Sequence, residues 1–600
     1  MAMSRTRKTV LIITSIVVAL VLVVLIGFAV LVASFRRSEP TIENNSALAL
    51  RVAGPLPDYV PDDPLRKFLG GPDQSLSNLI LQFKKAKVDN RIKVIMLDIN
   101  MSGIGWGKSE EIRDAIADFR SSGKPVYAYM EYGMNKEYYI ASACDKIYVA
   151  PPGELFINGL AADVMFFRGS LDKLGIYPDI FQIGKYKSVG DTFTQKQMTD
   201  AHREFMNSLL DDLFNRFVEA IGKGRGKSVE EVRAIIDNAP YNAAKAKEAG
   251  LIDAVTYRDG LEKDLKSRLG YKETDELRVV RGSTYSDVEP ESLGLDKGEK
   301  IAVIYATGDI GSGQSENSPR GNQSIGSDTL AKALNDARDD KSIKAIVIRV
   351  DSPGGSGLAS DIIWHAVDAA KQKKPVVISM SDVAASGGYY ISASASKIIA
   401  EPSTITGSIG VVAGKPVMKG FYDWLGISNE YILRGKNAGM FRETEKFTPE
   451  ERAKFEEWIK NTYYNDFVPK VAKGRNKDTA YVDSIAQGRV WTGAQGKERG
   501  LVDEFGGLDR AVEVAKGLAK IPQDKGVHRV ILPHPRTFLQ EWLNSDDDET
   551  RSQNTQREQQ RAVLAALPED ARRALRYMTL LDRMKSGESM LLMPFDIQIK

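Results

Sequence analysis

The stretch Tyr138-Tyr-Ile-Ala-Ser-Ala-Cys-Asp-Lys-Ile147 returns later in the chain as Tyr389-Tyr-Ile-Ser-Ala-Ser-Ala-Ser-Lys-Ile398. Working outward, Arg91-Ile-Lys-Val-Ile-Met-Leu-Asp98 returns as Ser342-Ile-Lys-Ala-Ile-Val-Ile-Arg349. Leu174-Gly-Ile176 returns as Leu425-Gly-Ile427, and Gly250-Leu-Ile-Asp253 as Gly500-Leu-Val-Asp503. The offset is 251 residues for the first three pairs and 250 for the last. Solenoid repeats recur at roughly 20–50 residues, so a period this long means two whole domains. The copies differ at two informative places. Ser386 of copy 2 stands where copy 1 has Asn135, and Lys187 of copy 1 stands where copy 2 has Ala438.

Each copy alternates short apolar runs with amphipathic stretches. Ala47–Gly54 and its counterpart Lys300–Gly308 read as opening strands. Ile346–Val350 is a β-branched strand, Leu358–Lys371 carries helical spacing, and Pro375–Ser379 is the next strand. Ser386–Ser396 has helix-like content and Lys397–Ala400 is a third strand. Strands spaced by helices imply βαβ units and a largely parallel sheet, hence an α/β class for both copies. Charged helical segments follow, over about 199–237 and 448–477.

Six hundred residues exceed one core, since single cores stop growing at about 250–300 residues. A formal charge of +2 argues against a nucleic-acid partner. The one cysteine, Cys144, excludes an internal disulfide and a Cys-based zinc site. It sits among small apolar residues, as a buried packing group would.

Val10 to Phe35 contains no charged residue. About 20 apolar residues suffice to cross a bilayer, whereas the apolar part of a signal peptide is typically about 7–15. Arg5, Arg7 and Lys8 precede the run, and Arg36 and Arg37 follow it. This is the pattern of a single uncleaved anchor with the N-terminus inside, which in a bacterium puts the remaining mass in the periplasm. The competing reading is a secretion signal cleaved near Ala33-Ser34. The expected organisation is a cytoplasmic end (1–9), anchor (10–35), stalk (36–46), first repeat (47–281), linker (282–299), second repeat (300–535), and a charged and helical tail (536–600). Met590 to Lys600 has no partner in the repeat and no function that its residues suggest.

Ser386 lies in Ser381-Asp-Val-Ala-Ala-Ser-Gly-Gly-Tyr-Tyr390, after a strand and before a helix. A serine at such a turn suits a nucleophile, because the Gly387 amide then faces a developing oxyanion. The same pattern also fits a serine that caps its helix. Asp351-Ser-Pro-Gly-Gly-Ser-Gly357 is a second glycine-rich loop. It can supply another oxyanion amide, best from Gly355, or simply be a turn into a helix. No Lys-Ser/Thr follows it, so it is not a phosphate loop. A nucleophilic serine needs a base. His202, His365, His528 and His534 lie in no obvious catalytic loop. The alternative is a lysine made neutral by burial. Lys187, in Phe181-Gln-Ile-Gly-Lys-Tyr-Lys-Ser-Val-Gly190, has no acidic neighbour before Asp191. Lys185 is a rival, but it matches Lys436 in copy 2, whereas Lys187 has no counterpart.

Ser-Pro-Gly-Gly (352–355), Ala-Ala-Ser-Gly-Gly-Tyr-Tyr (384–390) and Thr-Gly-Ser-Ile-Gly (406–410), with Gly-Lys-Tyr-Lys-Ser (184–188), closely resemble the signal peptide peptidase (SppA, or protease IV) family. The match is to its long, duplicated, membrane-anchored form and spans about residues 10–535. The resemblance implies two tandem ClpP/crotonase-like domains and a Ser/Lys serine peptidase. It makes Ser386 the nucleophile, Lys187 the general base, Ser408 the residue orienting the lysine, and Gly355 and Gly387 the oxyanion donors. It further implies signal-peptide substrates, a homotetramer, and no need of a metal or organic cofactor. Two other functions are open to this scaffold. A crotonase-like acyl-CoA enzyme would use the same oxyanion architecture, but an extracytoplasmic site is poor in CoA. A peptide-binding membrane scaffold without catalysis would have no use for Ser386, Lys187 and Ser408 together.

Overall fold

A computed structural model describes residues 40–61, 74–315 and 323–534, together with 575, 580, 589–593 and 598–599 of the tail. The expected anchor lies outside the described residues. Among the described residues, no helix is long and apolar enough to cross a membrane.

The two copies build two sheets with the same spatial order. In copy 1 the strands run 241–242, 146–156, 126–134, 92–102, 46–54 and 279–281. In copy 2 they run 490–492, 405–407, 376–385, 343–352, 299–307 and 527–532. The central pairings are parallel, as in Ala302↔Ile346 and Ile346↔Val376. Parallel strands are covered on both faces and therefore read as continuous apolar runs. Ile343–Ser352 fits this: nearly all of its residues are buried. Its crossover helix, Gly357–Lys371, starts where Ser356 Oγ accepts from the Ala359 amide at 3.2 Å. The helix 200–225 begins at a Thr199 cap and stops at Gly226, whose φ of 64° is open to glycine.

Within the expected linker 282–299, Tyr285, Val288 and Leu293 pack into the core of copy 1, whereas Glu299 already starts the opening strand of copy 2. Tyr285 is fully buried, and Lys85 Nζ donates to the Tyr285 and Val288 carbonyls at 2.8 Å each. Cys144 is buried, and its thiol is pushed up to about 12 by desolvation.

A third sheet belongs to neither copy alone. Its order is 324–326, 309–311, 354–356, 590–592, 411–417 and 177–183. Tyr177–Ile183 of copy 1 runs antiparallel to Val411–Val417 of copy 2 through seven consecutive partners, from Val411↔Ile183 to Val417↔Tyr177. The expected glycine-rich loop is thus partly a strand, Gly354–Ser356. Its neighbour in the sheet is a segment of the tail.

Buried charge also joins the copies. Arg349 is 1 % exposed; it donates to Asp58 Oδ1 at 2.8 Å and pairs with Glu111, both from the N-terminal half. Lys108 meets Asp351 at 2.9 Å. Asp382, four residues before Ser386, accepts from the Gly105 and Lys108 amides at 2.8 Å each and so caps a copy-1 helix. A side chain at Gly105 would overlap that carboxylate, since a Cβ there lies 2.4 Å from Asp382 Cγ.

Candidate active site

Ser386 ends the strand Val376–Ala385 and precedes the helix Gly387–Ser392. Its backbone has φ 55° and ψ −112°, a strained conformation for a residue with a Cβ. The surroundings enforce it: the Ser386 amide donates to the Gly407 carbonyl at 2.8 Å, and its own carbonyl accepts from Tyr390 at 2.8 Å. At the copy-1 position, Asn135 has no positive φ; its side chain donates to the Gly159 carbonyl at 2.9 Å. The strain is therefore specific to the copy that carries the serine.

Gly387 and Gly355 converge. A Cβ added to Gly387 would lie 3.1 Å from the Gly355 nitrogen, and one on Gly355 would sit 2.0 Å from the Ile310 carbonyl oxygen. Glycine at 355 thus admits the neighbouring strand Asp309–Gly311. The two glycines singled out from sequence stand side by side, next to Ser386.

Lys187 follows the strand Tyr177–Ile183, and the pairing of that strand with Val411–Val417 carries it into copy 2. The Tyr186 amide donates to the Gln487 carbonyl at 2.7 Å, which fixes the turn. Lys187 is fully buried. Its Nζ donates to Ser386 Oγ at 2.8 Å, to the Ser408 carbonyl at 2.9 Å and to Ser408 Oγ at 3.1 Å. Among the described residues no carboxylate partners it, and desolvation pushes the ammonium well below its ordinary pKa. Ser408 itself has φ 51°, and its amide donates to the Arg489 carbonyl at 2.7 Å. The rival Lys185 is solvent-exposed and lies 3.8 Å from Glu204. Lys436 is exposed too, 2.8 Å from Glu450.

None of the four histidines hydrogen-bonds Ser386. His202 is buried with both ring nitrogens unpaired, stacks on Phe205 at 5.1 Å, and is pushed down to about 4 by desolvation. His365 is exposed, and His528 faces Asp296 at 3.2 Å. Three contributors were not read from the sequence, two glycines and a carbonyl. Gly488 packs on the lysine stem, where a Cβ would lie 2.5 Å from Lys187 Cβ, and a Cβ on Gly410 would lie 3.0 Å from Lys187 Cδ. The second glycine is visible in Thr-Gly-Ser-Ile-Gly; nothing marks the first. The Ser408 carbonyl, an acceptor as close as the hydroxyl, was also missed.

The arrangement is a hydroxyl on a neutralisable amine, beside two converging amides. That is the equipment for acyl transfer: nucleophile, base and oxyanion donors.

Relatives agree with this chemistry. The chain is 38 % identical over 505 residues to the chloroplastic serine protease SPPA of Arabidopsis thaliana, covering 84 % of this chain and 73 % of that protein. It is 36 % identical over 462 residues to Protease 4 of Salmonella typhi, covering 75 % and 73 %. Protease 4 of Haemophilus influenzae is 33 % identical over 491 residues, covering 79 % and 76 %. The model of peptidase family S49 matches twice, at residues 118–272 and 368–522. With its two matched repeats and its similarity to these proteases over most of its length, the chain is a serine peptidase belonging to peptidase family S49.

Proposed function

We propose that this enzyme has one composite active site, in which Ser386 is the nucleophile and Lys187 the base, and that it degrades signal peptides left in the membrane after export. The observation that carries the catalytic assignment is the 2.8 Å contact between Lys187 Nζ and Ser386 Oγ in a buried setting without a carboxylate partner. In the neutral amine, two N–H groups stay with the Ser408 carbonyl and hydroxyl, and the lone pair accepts the Ser386 proton. Ser386 Oγ attacks the scissile carbonyl, and the Gly355 and Gly387 amides hold the oxyanion. The Lys187 ammonium then protonates the leaving amine. Water, deprotonated by the same lysine, hydrolyses the acyl-serine.

The ClpP/crotonase-like domain architecture, a homotetrameric assembly and anchoring through residues 10–35 belong to the same reading, as does a catalytic body in the periplasm. It is supported by the uncharged run Val10–Phe35 and by the resemblance of the motifs. A released signal peptide is apolar and extended, and binds as an added strand whose alternate side chains fill pockets.

The test is cleavage of a synthetic signal peptide by the protein lacking residues 1–39. Ser386→Ala and Lys187→Ala should each remove activity and leave the circular dichroism spectrum unchanged. Turnover by purified Lys187→Ala would refute the dyad.

A further inference from the structure

The loop 486–489 of copy 2 holds the lysine turn and the Ser408 turn at once. On the lysine side, the Gln487 carbonyl accepts from the Tyr186 amide at 2.7 Å, and its side-chain Oε1 accepts from the Lys185 amide at 3.2 Å. Gly184 lets the two backbones touch: a Cβ there would lie 2.5 Å from the Gln487 carbonyl carbon. On the serine side, the Arg489 carbonyl accepts from the Ser408 amide and the Gly488 amide donates to the Ile409 carbonyl, each at 2.7 Å. Four residues therefore set the distance between Lys187 and the two Ser408 acceptors that aim its Nζ.

Gln487 is itself held in an unfavourable conformation. Its φ is 50°, which a residue with a Cβ keeps only where its surroundings enforce it. The Gln487 amide donates to the Tyr463 hydroxyl at 3.1 Å, and its Nε2 donates to Asp483 Oδ1 at 2.5 Å. The same Oδ1 accepts from the Tyr463 hydroxyl at 2.7 Å. The three bonds close a triangle, and Tyr463 is fully buried.

Copy 1 has none of these three side chains. From its cap at Thr199 to Arg225, the copy-1 helix spans 26 positions; from the cap at Thr448 to Arg475, copy 2 spans 27. The extra residue is taken up in a π-helical turn, Thr462–Phe467, a form that is rare in proteins and frequent at functional sites. Tyr463 stands in that turn, where copy 1 has Leu213 or Phe214. Beyond it the offset is 250 residues, and Asp483 and Gln487 stand where copy 1 has Arg233 and Asp237. The support for the lysine is thus confined to the copy that carries the serine.

We propose that Gln487 is a positioning residue for the base: with Tyr463 and Asp483 it locks the Lys187 turn against Ser408, so that Nζ stays dry and aimed at Ser386 Oγ. The proposal rests on the Ser/Lys reading above. The charged groups of the surrounding elements are engaged away from the amine. Glu204 pairs with Arg489 at 2.5 Å, Asp191 accepts from Gln182 at 2.9 Å, and Lys185 is solvent-exposed. Burial is what lowers the lysine, so the clamp acts by keeping water from Nζ.

The experiment is steady-state peptide hydrolysis across pH by the full-length protein in detergent. Wild type, Gln487→Gly, Tyr463→Phe and Lys187→Ala are compared, with thermal unfolding on the same samples. Glycine adopts positive φ freely, so Gln487→Gly removes the side-chain bonds without adding backbone strain. Its kcat should fall about tenfold, the worth of one or two hydrogen bonds, while KM stays within about twofold. The rising limb of its kcat/KM profile should move up by about one pH unit as water reaches the amine, so part of the lost activity returns at alkaline pH. A site that is merely less often folded would not move that limb. Tyr463→Phe keeps the ring and touches neither Lys187 nor Ser408; it should shift kcat and the limb the same way by less. With Lys187→Ala inactive, wild-type kcat in Gln487→Gly, or a fall in kcat with the limb unmoved, overturns the proposal and leaves the dyad standing. If Gln487→Gly does not fold, an unmoved limb in Tyr463→Phe overturns it in the same way. Turnover by Lys187→Ala would sink the dyad and the proposal together.

Discussion

Replacing Arg349 by Met tests whether buried charge holds the two copies in catalytic register. Arg349 is 1 % exposed and serves four acceptors: Asp58 at 2.8 Å, Ser379 Oγ at 2.9 Å, Ser381 Oγ at 3.0 Å, and Glu111. Burial alone would raise the Asp58 carboxyl; Arg349 and Lys108 outweigh it and hold it down at about 2. Without the guanidinium, Asp58 keeps Lys108 at 3.4 Å and Ser381 at 3.0 Å, but Glu111 keeps only the Leu508 amide at 2.8 Å. Removing one partner of a buried ion pair costs about 3–5 kcal/mol, because the other charge stays buried. For domains of this size each kcal/mol shifts Tm by about 2–4 °C, so Arg349→Met should lower it by on the order of 10 °C. Ser379 and Ser381 lie on the strand that ends at Ser386, so kcat/KM on a peptide should fall in parallel. The double variant Arg349→Met/Glu111→Leu removes the orphaned charge and should recover most of the stability. The assay is thermal unfolding followed by tryptophan fluorescence, with peptide hydrolysis on the same preparations. A Tm within 2 °C of wild type for Arg349→Met, or a double variant less stable than the single, would refute the reasoning.

Ser408→Ala removes the 3.1 Å acceptor of Lys187 but leaves the Ser408 carbonyl at 2.9 Å. A hydrogen bond to a charged group is worth about 1.5–3 kcal/mol, so kcat should fall by about 10–100-fold without vanishing, as steady-state kinetics would show. Gly488→Ala places a Cβ 2.5 Å from Lys187 Cβ at a residue with φ 75°. It should reduce kcat far more than it changes KM, since it displaces the base and not the peptide. Activity should climb as pH rises through the depressed pKa of Lys187, because only the neutral amine accepts the serine proton. That limb should appear well below the ordinary lysine range in a kcat/KM profile; a limb near the ordinary lysine value of about 10.4 would mean a solvated base.

The two-domain plan is written in the 251-residue offset, and the strands around Ile346–Val350 and Pro375–Ser379 follow from their β-branched runs. Ser386, Lys187, Ser408, Gly355 and Gly387 all meet at one place. What the sequence did not disclose lies in pairings between distant segments. Tyr177–Ile183 and Val411–Val417 are short apolar runs that by pattern fit helix or strand, and nothing local names the partner of either. The change from Asp98 to Arg349 is visible in the repeat itself, yet it acquires meaning only once Asp58 and Glu111 stand beside the guanidinium. The tail strand is three apolar residues without a copy, and nothing local names the glycine strand it pairs with. Lys187 could be chosen over Lys185 only by comparing copies, because burial decides the matter and burial is a property of the folded sheet.

The split of serine and lysine between the copies also sets a clock. The two residues are 199 positions apart, and the lysine is made first. At about 5–20 residues per second, roughly 10–40 s separate their synthesis. Throughout that interval the nascent chain holds the proposed base without the proposed nucleophile. Even when Ser386 has appeared, Val411–Val417 must still be made before the lysine can be drawn in. Until then the growing chain carries no assembled Ser386–Lys187 pair.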